Sequence, residues 1–384
     1  MIYALTNGVI YVCFSLIIGG GIVALIPQNN RVEITLKRRT LMWIAVLIPV
    51  AALFPVAALS VDIDTYQENG LVSSFFYVLN EIETGRAWVA LLFFTIVYIS
   101  ILAIVRNKYA AFLPSLLAAL GMILTQSVVG HSANMASYPG ALAHSFHLAA
   151  VCVWAGILLV VSWFSKDEEN WYAFIEWFTF FAIGCIVLLS FTGMFMSFSL
   201  TESVVSSWTL PYGQALLIKH LLFLILLVFA FINGFLIRQK VKNNPHFSPR
   251  PWWKAESAIV LAIFSITGFM TEQEPPHNLE QTLNREGASV LFRTFSSVGV
   301  NQDLLLRPNL IGLFFIGLSM VFLLLTLFLF VKQETVGGVL FMSGITIVSL
   351  YMGLMNSLES MQEAAITPAF LVFGHAIINC GISL

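Results

Sequence analysis

Charge is scarce in this chain. Asp, Glu, Lys and Arg make up only 10% of its 384 residues, against roughly 25% in a soluble globular domain. Hydrophobic residues reach 59%, with 33 phenylalanines, and the mean hydropathy is +0.89. This balance excludes an ordinary soluble enzyme and indicates a polytopic membrane protein with the lipid bilayer as its partner. A net charge of -2 argues against a nucleic-acid partner, which is not expected. Cysteine is equally sparse. Cys13, Cys152, Cys185 and Cys380 all lie in apolar stretches without CxxC spacing, so they read as packing residues rather than as a zinc or dithiol motif. No phosphate-binding Gly-rich loop, DKTG-type phosphorylation segment or ATP-binding domain is present, so any transport is expected to be passive or coupled to an ion gradient. The N-terminus lacks a basic leader and a small-residue cleavage site, and is expected to be a retained first span.

What the chain has in abundance is apolar runs of about 20 residues, the length that crosses a bilayer as a helix. They fall near 3–26, 41–60, 87–105, 110–130, 140–164, 172–199, 211–237, 255–271, 309–331 and 336–357, and 367–384 is a candidate eleventh. The expected fold is all-α, a polytopic transmembrane helix bundle of 10–11 spans. With the N-terminus outside, the inner connections hold thirteen of the eighteen basic residues, among them Arg31, Arg38, Arg106, Arg238 and Arg250; positive loops belong on the inner face. The outer connections 61–86 and 272–308 are acidic or neutral. The organisation expected is a four-helix region at 1–130, a core at 131–276, an outer loop at 277–308 and C-terminal helices at 309–384. The stretch NLEQTLNREGASVLFRTF within 272–308 can be drawn as an amphipathic surface helix, but a plain solvated loop is the simpler expectation.

Three of the seven histidines sit within seventeen positions, in GHSANMASYPGALAHSFHLAAVCVWAG at 130–156. In the expected topology 131–139 is an outer connection that holds His131 and Met135. His144 and His147 are one turn apart on one face of the fifth span. At 1.5 Å per residue, His147 lies about 10 Å inward from Gly140. Met194 and Met196 occupy the outer end of the sixth span, and His220 lies some nine residues into the seventh. Imidazole with thioether suits copper, because thioether is soft enough for Cu(I) and imidazole serves Cu(I) and Cu(II) alike. Zinc more usually takes cysteinate or carboxylate and has no need of methionine. Each group also has an ordinary reading: a histidine in an apolar helix hydrogen-bonds backbone or hydroxyl, and methionine fills a core. Polar groups inside a membrane are costly, which favours function without specifying it.

Two charges are also placed within spans. Lys219 sits beside His220 and must snorkel or find a partner. Glu256, near the inner end of the eighth span, is expected either to pair with inner basic residues or to interact with its helix dipole.

Several of these landmarks together resemble the CopD copper-resistance membrane proteins. Gly130-His131-Ser132, then His147 with Trp154 and Gly156, is similar to a GHS/A and H-x6-W-x-G pattern, although Ala155 stands where that family usually has glycine. WFTFFAIGCIVLLSFTG at 177–193 resembles their sixth helix. LPYGQALLIKHLL at 210–222 resembles their YG-x-x-LL-x-K signature at Tyr212, Gly213, Leu216, Leu217 and Lys219. Asn233, Glu256 and Pro275-Pro276 follow in matching order, so the resemblance covers about 130–276. It implies a copper transporter rather than an enzyme, resident in the bacterial cytoplasmic membrane and associated with uptake, with copper ion as cargo. No CopC-like copper-binding domain lies within these residues, so an extracytoplasmic CopC-like chaperone is expected to be a separate protein. A different class also fits the histidines: paired imidazoles on neighbouring spans ligate b-type haem in membrane cytochromes, which would make the chain an electron carrier or copper reductase. A copper-binding sensor or assembly factor is a third reading, and it predicts binding without flux.

Overall fold

A computed structural model describes residues 2–68, 70–129, 131–166, 170–201, 203–244, 247–300, 303–332 and 335–361, with the side chains of 2, 3, 67 and 131–137 outside the described set. Ten helices among the described residues are long and apolar enough to cross a membrane, one for each of the ten expected spans. The protein is an all-α polytopic membrane protein. The candidate span at 367–384, together with His375 and Cys380, lies outside the described residues, as does His246.

The chain divides into two compact units. The first, residues 1–200 and 222–273, contains α1 (Ile2–Leu25), α2 (Arg38–Gln67), α3 (Leu71–Glu81), α4 (Glu83–Ile104), α5 (Lys108–Val128), α6 (His131–Phe164) and α7 (Trp171–Leu200). It also takes in the later part of α8 (Pro211–Phe231), a π-helical turn at Ile232–Ile237, α9 (Arg238–Asn243) and α10 (Arg250–Met270). Helix α1 packs against α2, α5, α6 and α10, and buries Phe14, Ile17 and Ile18 completely or nearly so. Membrane helices gain no hydrophobic drive from packing on each other, so close contact at small residues takes its place. A side chain added at Gly19 would overlap the backbone of Gly156 on α6, and one added at Gly268 on α10 would overlap that of Ala4. Cys13, Cys152 and Cys185 are free and buried, as packing residues should be.

Helix ends in the first unit are tied by complementary groups. Arg38 donates to the carbonyls of Ile101 and Val105 at the end of α4, Lys108 and Arg31 to Ala24 at the end of α1, and Arg250 to Ser162 and Trp163 at the end of α6. Cations there satisfy orphan carbonyls and oppose the negative end of the helix dipole. The connections 31–37 and 165–166 meet at an isolated antiparallel bridge between Ile34 and Ser165. At the start of α1 the reverse applies: Glu272 accepts from the Ala4 amide at 2.7 Å, a carboxylate on unsatisfied first-turn N–H groups.

One expectation for this unit changes. The segment 131–139, expected as a connection, is the first part of α6 and contains Pro139. Proline removes one backbone donor and still sits within membrane helices, where neighbouring groups satisfy the freed carbonyl.

The second unit, residues 201–221 and 274–384, takes in a 3-10 turn at Ser206–Thr209, the first part of α8, α11 (Leu279–Glu286), α12 (Val290–Phe295), α13 (Leu310–Val331) and α14 (Val336–Met355). Helices α13 and α14 form a hairpin, closely approached at Gly312 and Gly353. Strands β1 (Leu304–Leu306) and β2 (Leu358–Ser360) pair antiparallel. The segment 277–308, expected as a solvated loop, therefore holds two short helices and a strand. Phe292 is fully buried and Leu304 nearly so, in a core with Trp208, Leu217, Tyr351 and Met355. Glu280, Arg285 and Glu286 of α11 are exposed, Leu279 and Leu283 are partly buried, and Thr282 is buried.

Candidate functional site

Helix α6 carries His144 and His147, and it packs directly on α7. Both imidazoles are partly buried. His147 Nδ1 lies 3.0 Å from Thr192 Oγ1 on α7. The Thr192 hydroxyl has one proton, and directs it to the Leu188 carbonyl at 2.7 Å. With its proton there it receives from His147, an arrangement that puts the imidazole proton on Nδ1 and, in the neutral ring, the lone pair on Nε2. A metal-binding histidine is commonly held in this way, its second nitrogen donating to a fixed acceptor that sets ring orientation and tautomer. Gly193, next to Thr192, faces the same ring: a Cβ there would stand 3.5 Å from His147 Cε1.

The methionines of α7 separate by helical geometry. Each residue advances about 100° around the axis, so Met194 points roughly 200° away from Thr192, whereas Met196 returns to within about 40° of it. Met194 is accordingly 59% exposed, and Met196 is half-buried. Only Met196 shares the His147 face of α7. The backbone of His131 and Met135 lies in the first turns of α6, and their side chains are outside the described set. Among the described residues, no three His, Cys, Asp or Glu side chains converge on one point.

Tyr212, Lys219 and His220 belong to the second unit. Tyr212 is buried, Lys219 half-buried and His220 exposed. His220 Nδ1 lies 2.8 Å from the Leu216 carbonyl one turn back. A carbonyl only accepts, so this ring also holds its proton on Nδ1. The glycine of the Tyr212-Gly213 pair is required by space, because a side chain at Gly213 would overlap the Ser207 backbone. The following Gln214 is 1% exposed and bridges the unit: it donates to the Trp208 carbonyl at 2.6 Å and accepts from the Tyr351 hydroxyl at 2.6 Å.

Glu256 departs from both sequence expectations. It is 2% exposed, and its partner is a neutral amide: Asn233 Nδ2 donates to Glu256 Oε2 at 2.6 Å. Asn233 lies in the π-helical turn, where the extra backbone residue turns its side chain toward α10. Trp154, also almost fully buried, lines the same cavity as Asn233 and Glu256, together with Trp253. Thr192 and Gln214 escaped the sequence reading. Each sat inside a motif quoted for other residues, and a Gln in the first turn of an apolar spanning run is a signal that would have found the second.

Comparison with known proteins bears on the same helices. The model described as Copper resistance protein D-like, N-terminal domain, matches residues 1–141, and the model described as Copper resistance protein D matches 172–270. The chain belongs to the copper resistance protein D family. Family matches thus cover α1 to the start of α6, and then α7 to α10, with His144, His147 and Trp154 in the interval between them. Copper transport protein CutJ of Bacillus subtilis (strain 168) is 26% identical over 217 residues, which is 53% of this chain and 40% of that protein. The chain thus spans well under two thirds of that relative's length. No solved structure matches this member of the copper resistance protein D family.

Proposed function

We propose that the protein moves copper across the membrane, inward from the face at which α6 begins, and that His144 and His147 form the first intramembrane copper site. The observation that carries this reading is the His147–Thr192 hydrogen bond. It orients an intramembrane imidazole with Nε2 as the ligating nitrogen, on a helix pair of a copper-resistance family. Capture begins at His131 and Met135, continues to His144 and His147, and proceeds past Met196, whose thioether favours Cu(I). Met194 has no part in this site because it faces away. His220, oriented by Leu216, is a separate candidate ligand of the second unit.

An open site of few ligands suits conduction, since a cargo held too tightly is not released. The placement of thirteen basic residues in alternate connections supports a topology with the N-terminus outside, which makes the direction uptake. Copper is then delivered to the outer face by a CopC-like copper carrier. Purified protein incubated with copper, analysed for metal and by visible spectroscopy on one sample, tests the reading. Stoichiometric copper in wild type and none in the His144→Ala/His147→Ala variant is the expected result. A Soret band would show instead that these imidazoles are haem ligands, and unchanged copper in the double variant would remove them from the site.

A further inference from the structure

A second polar site lies within the first unit. A cavity of about 150 Å³ has an apolar wall from α7 and α8, with Ile183, Ile186 and Leu227 among its residues, and a polar end formed by Trp154 of α6, Thr179 of α7, Asn233 of the π-helical turn, and Trp253 and Glu256 of α10. Trp154, Asn233, Trp253 and Glu256 are each no more than 3% exposed. Three of their polar atoms are buried without a hydrogen-bond partner among the protein groups: Trp154 Nε1, Trp253 Nε1 and Asn233 Oδ1. Buried polar groups left unsatisfied forfeit their hydration without compensation, so three around one cavity point to an occupant that satisfies them.

The chemistry of the lining selects that occupant. Indole N–H groups only donate, so two of the unpaired atoms call for lone pairs and disfavour a bare cation. Neither sulfur nor imidazole lines the cavity, so it offers nothing that selects copper. Water fits: it meets the donors with its lone pairs and Asn233 Oδ1 with a proton, and the volume holds several molecules. Glu256 is the one ionisable side chain in the lining.

We propose that this cavity is a hydrated proton-binding site, in which the Glu256 carboxylate takes up a proton from a hydronium ion of the enclosed water and returns it as copper moves. On uptake one hydronium O–H bond breaks as the carboxyl O–H forms, leaving a neutral water; on release the carboxyl O–H breaks and hydronium re-forms, and no electron changes hands. The link to copper movement rests on the transport reading above; the protonation itself does not. The other charged groups of α7 and α10 are engaged elsewhere. Glu176 of α7 stands 4.0 Å from Arg238, Arg250 donates to the carbonyls ending α6, and Lys254 lies over the Trp163 ring. Tyr11 of α1 packs on Phe264. Asn233 therefore makes the direct contact that holds the carboxylate.

Infrared difference spectra between acid and alkaline pH, on the purified full-length protein without copper, test the protonation. Wild type gives a protonated-carboxyl C=O band that titrates, Glu256→Gln loses it, and Glu256→Asp restores a carboxyl band at a shifted position. A band that persists unchanged in Glu256→Gln would overturn the proposal, and so would its failure to return in a folded Glu256→Asp protein. In proteoliposomes, collapsing a pH gradient changes copper flux in wild type and leaves Glu256→Gln flux unaltered. A pH-gradient response kept in full by Glu256→Gln would refute the coupling. Absence of copper flux from wild type, with the infrared band present and lost in Glu256→Gln, would instead overturn the transport reading and leave the proton site standing.

Discussion

His147 and Thr192 lock two membrane helices at the level of the candidate copper site, with the imidazole proton held on Nδ1 by a hydroxyl 3.0 Å away. The threonine hydroxyl is in turn committed to the Leu188 carbonyl. An imidazole restrained at one nitrogen loses little freedom when the other binds a metal. The contact therefore sets both the geometry and the tautomer of the ligand.

Removing the acceptor should release the ring. Thr192→Val keeps the shape of the side chain and deletes the hydroxyl, and copper affinity is expected to fall by about 10–100-fold, the usual cost of losing such a supporting partner. Thr192→Ser should retain most of the affinity. Competition against a calibrated copper chelator on purified protein measures both, and equal affinity in wild type and Thr192→Val would show that the contact is only structural.

The two methionines of α7 should behave differently although they are two residues apart. Met196→Leu is expected to weaken Cu(I) binding by about tenfold, equivalent to about 1.4 kcal/mol. Met194→Leu should leave it unchanged, because that side chain is turned outward. The same competition assay under reducing conditions separates them, and a loss confined to Met194→Leu would invert the assignment.

The crossing of α1 and α6 depends on having no side chain at Gly156. Gly156→Leu is expected to lower stability by about 1–3 kcal/mol or more, as overpacking of a close contact does. Gly21, where an added Cβ would meet nothing within 4 Å, provides the comparison: Gly21→Ala should leave the unfolding midpoint in detergent nearly unchanged. A midpoint lowered as far by Gly21→Ala as by Gly156→Leu would count against the packing account.

In the second unit, Gln214 and Tyr351 should be energetically coupled. Either Gln214→Leu or Tyr351→Phe leaves the other's buried polar group unpaired, whereas the double variant removes both. Thermal or denaturant unfolding of the four proteins is expected to give a coupling of about 0.5–3 kcal/mol. Simple additivity would mean the 2.6 Å contact contributes little.

Much of this architecture was legible because its signals are local. Ten apolar runs of spanning length are visible in composition alone, and their ends need only a few residues of context. The helical character of 131–139 was not legible, since Ser132, Asn134, Ser137 and Pro139 read as turn formers and only the continuing helix shows otherwise. The histidines of α6 were found from spacing, but Thr192, 45 residues away, becomes their partner only through packing of α6 on α7. Glu256 was noticed as a charge; that Asn233 meets it depends on a π-helical turn that no local pattern announced. Phe292 shows the same limit, a residue of a polar segment buried by contacts with Trp208 and Met355 that sequence spacing cannot express.

Copper flux into proteoliposomes containing the full chain, compared with the His144→Ala/His147→Ala variant at equal protein density and matched orientation, tests the central claim most directly. The account predicts copper accumulation with wild type and its loss in the variant. Equal accumulation by the two proteins, or none above empty vesicles with wild type, would contradict it.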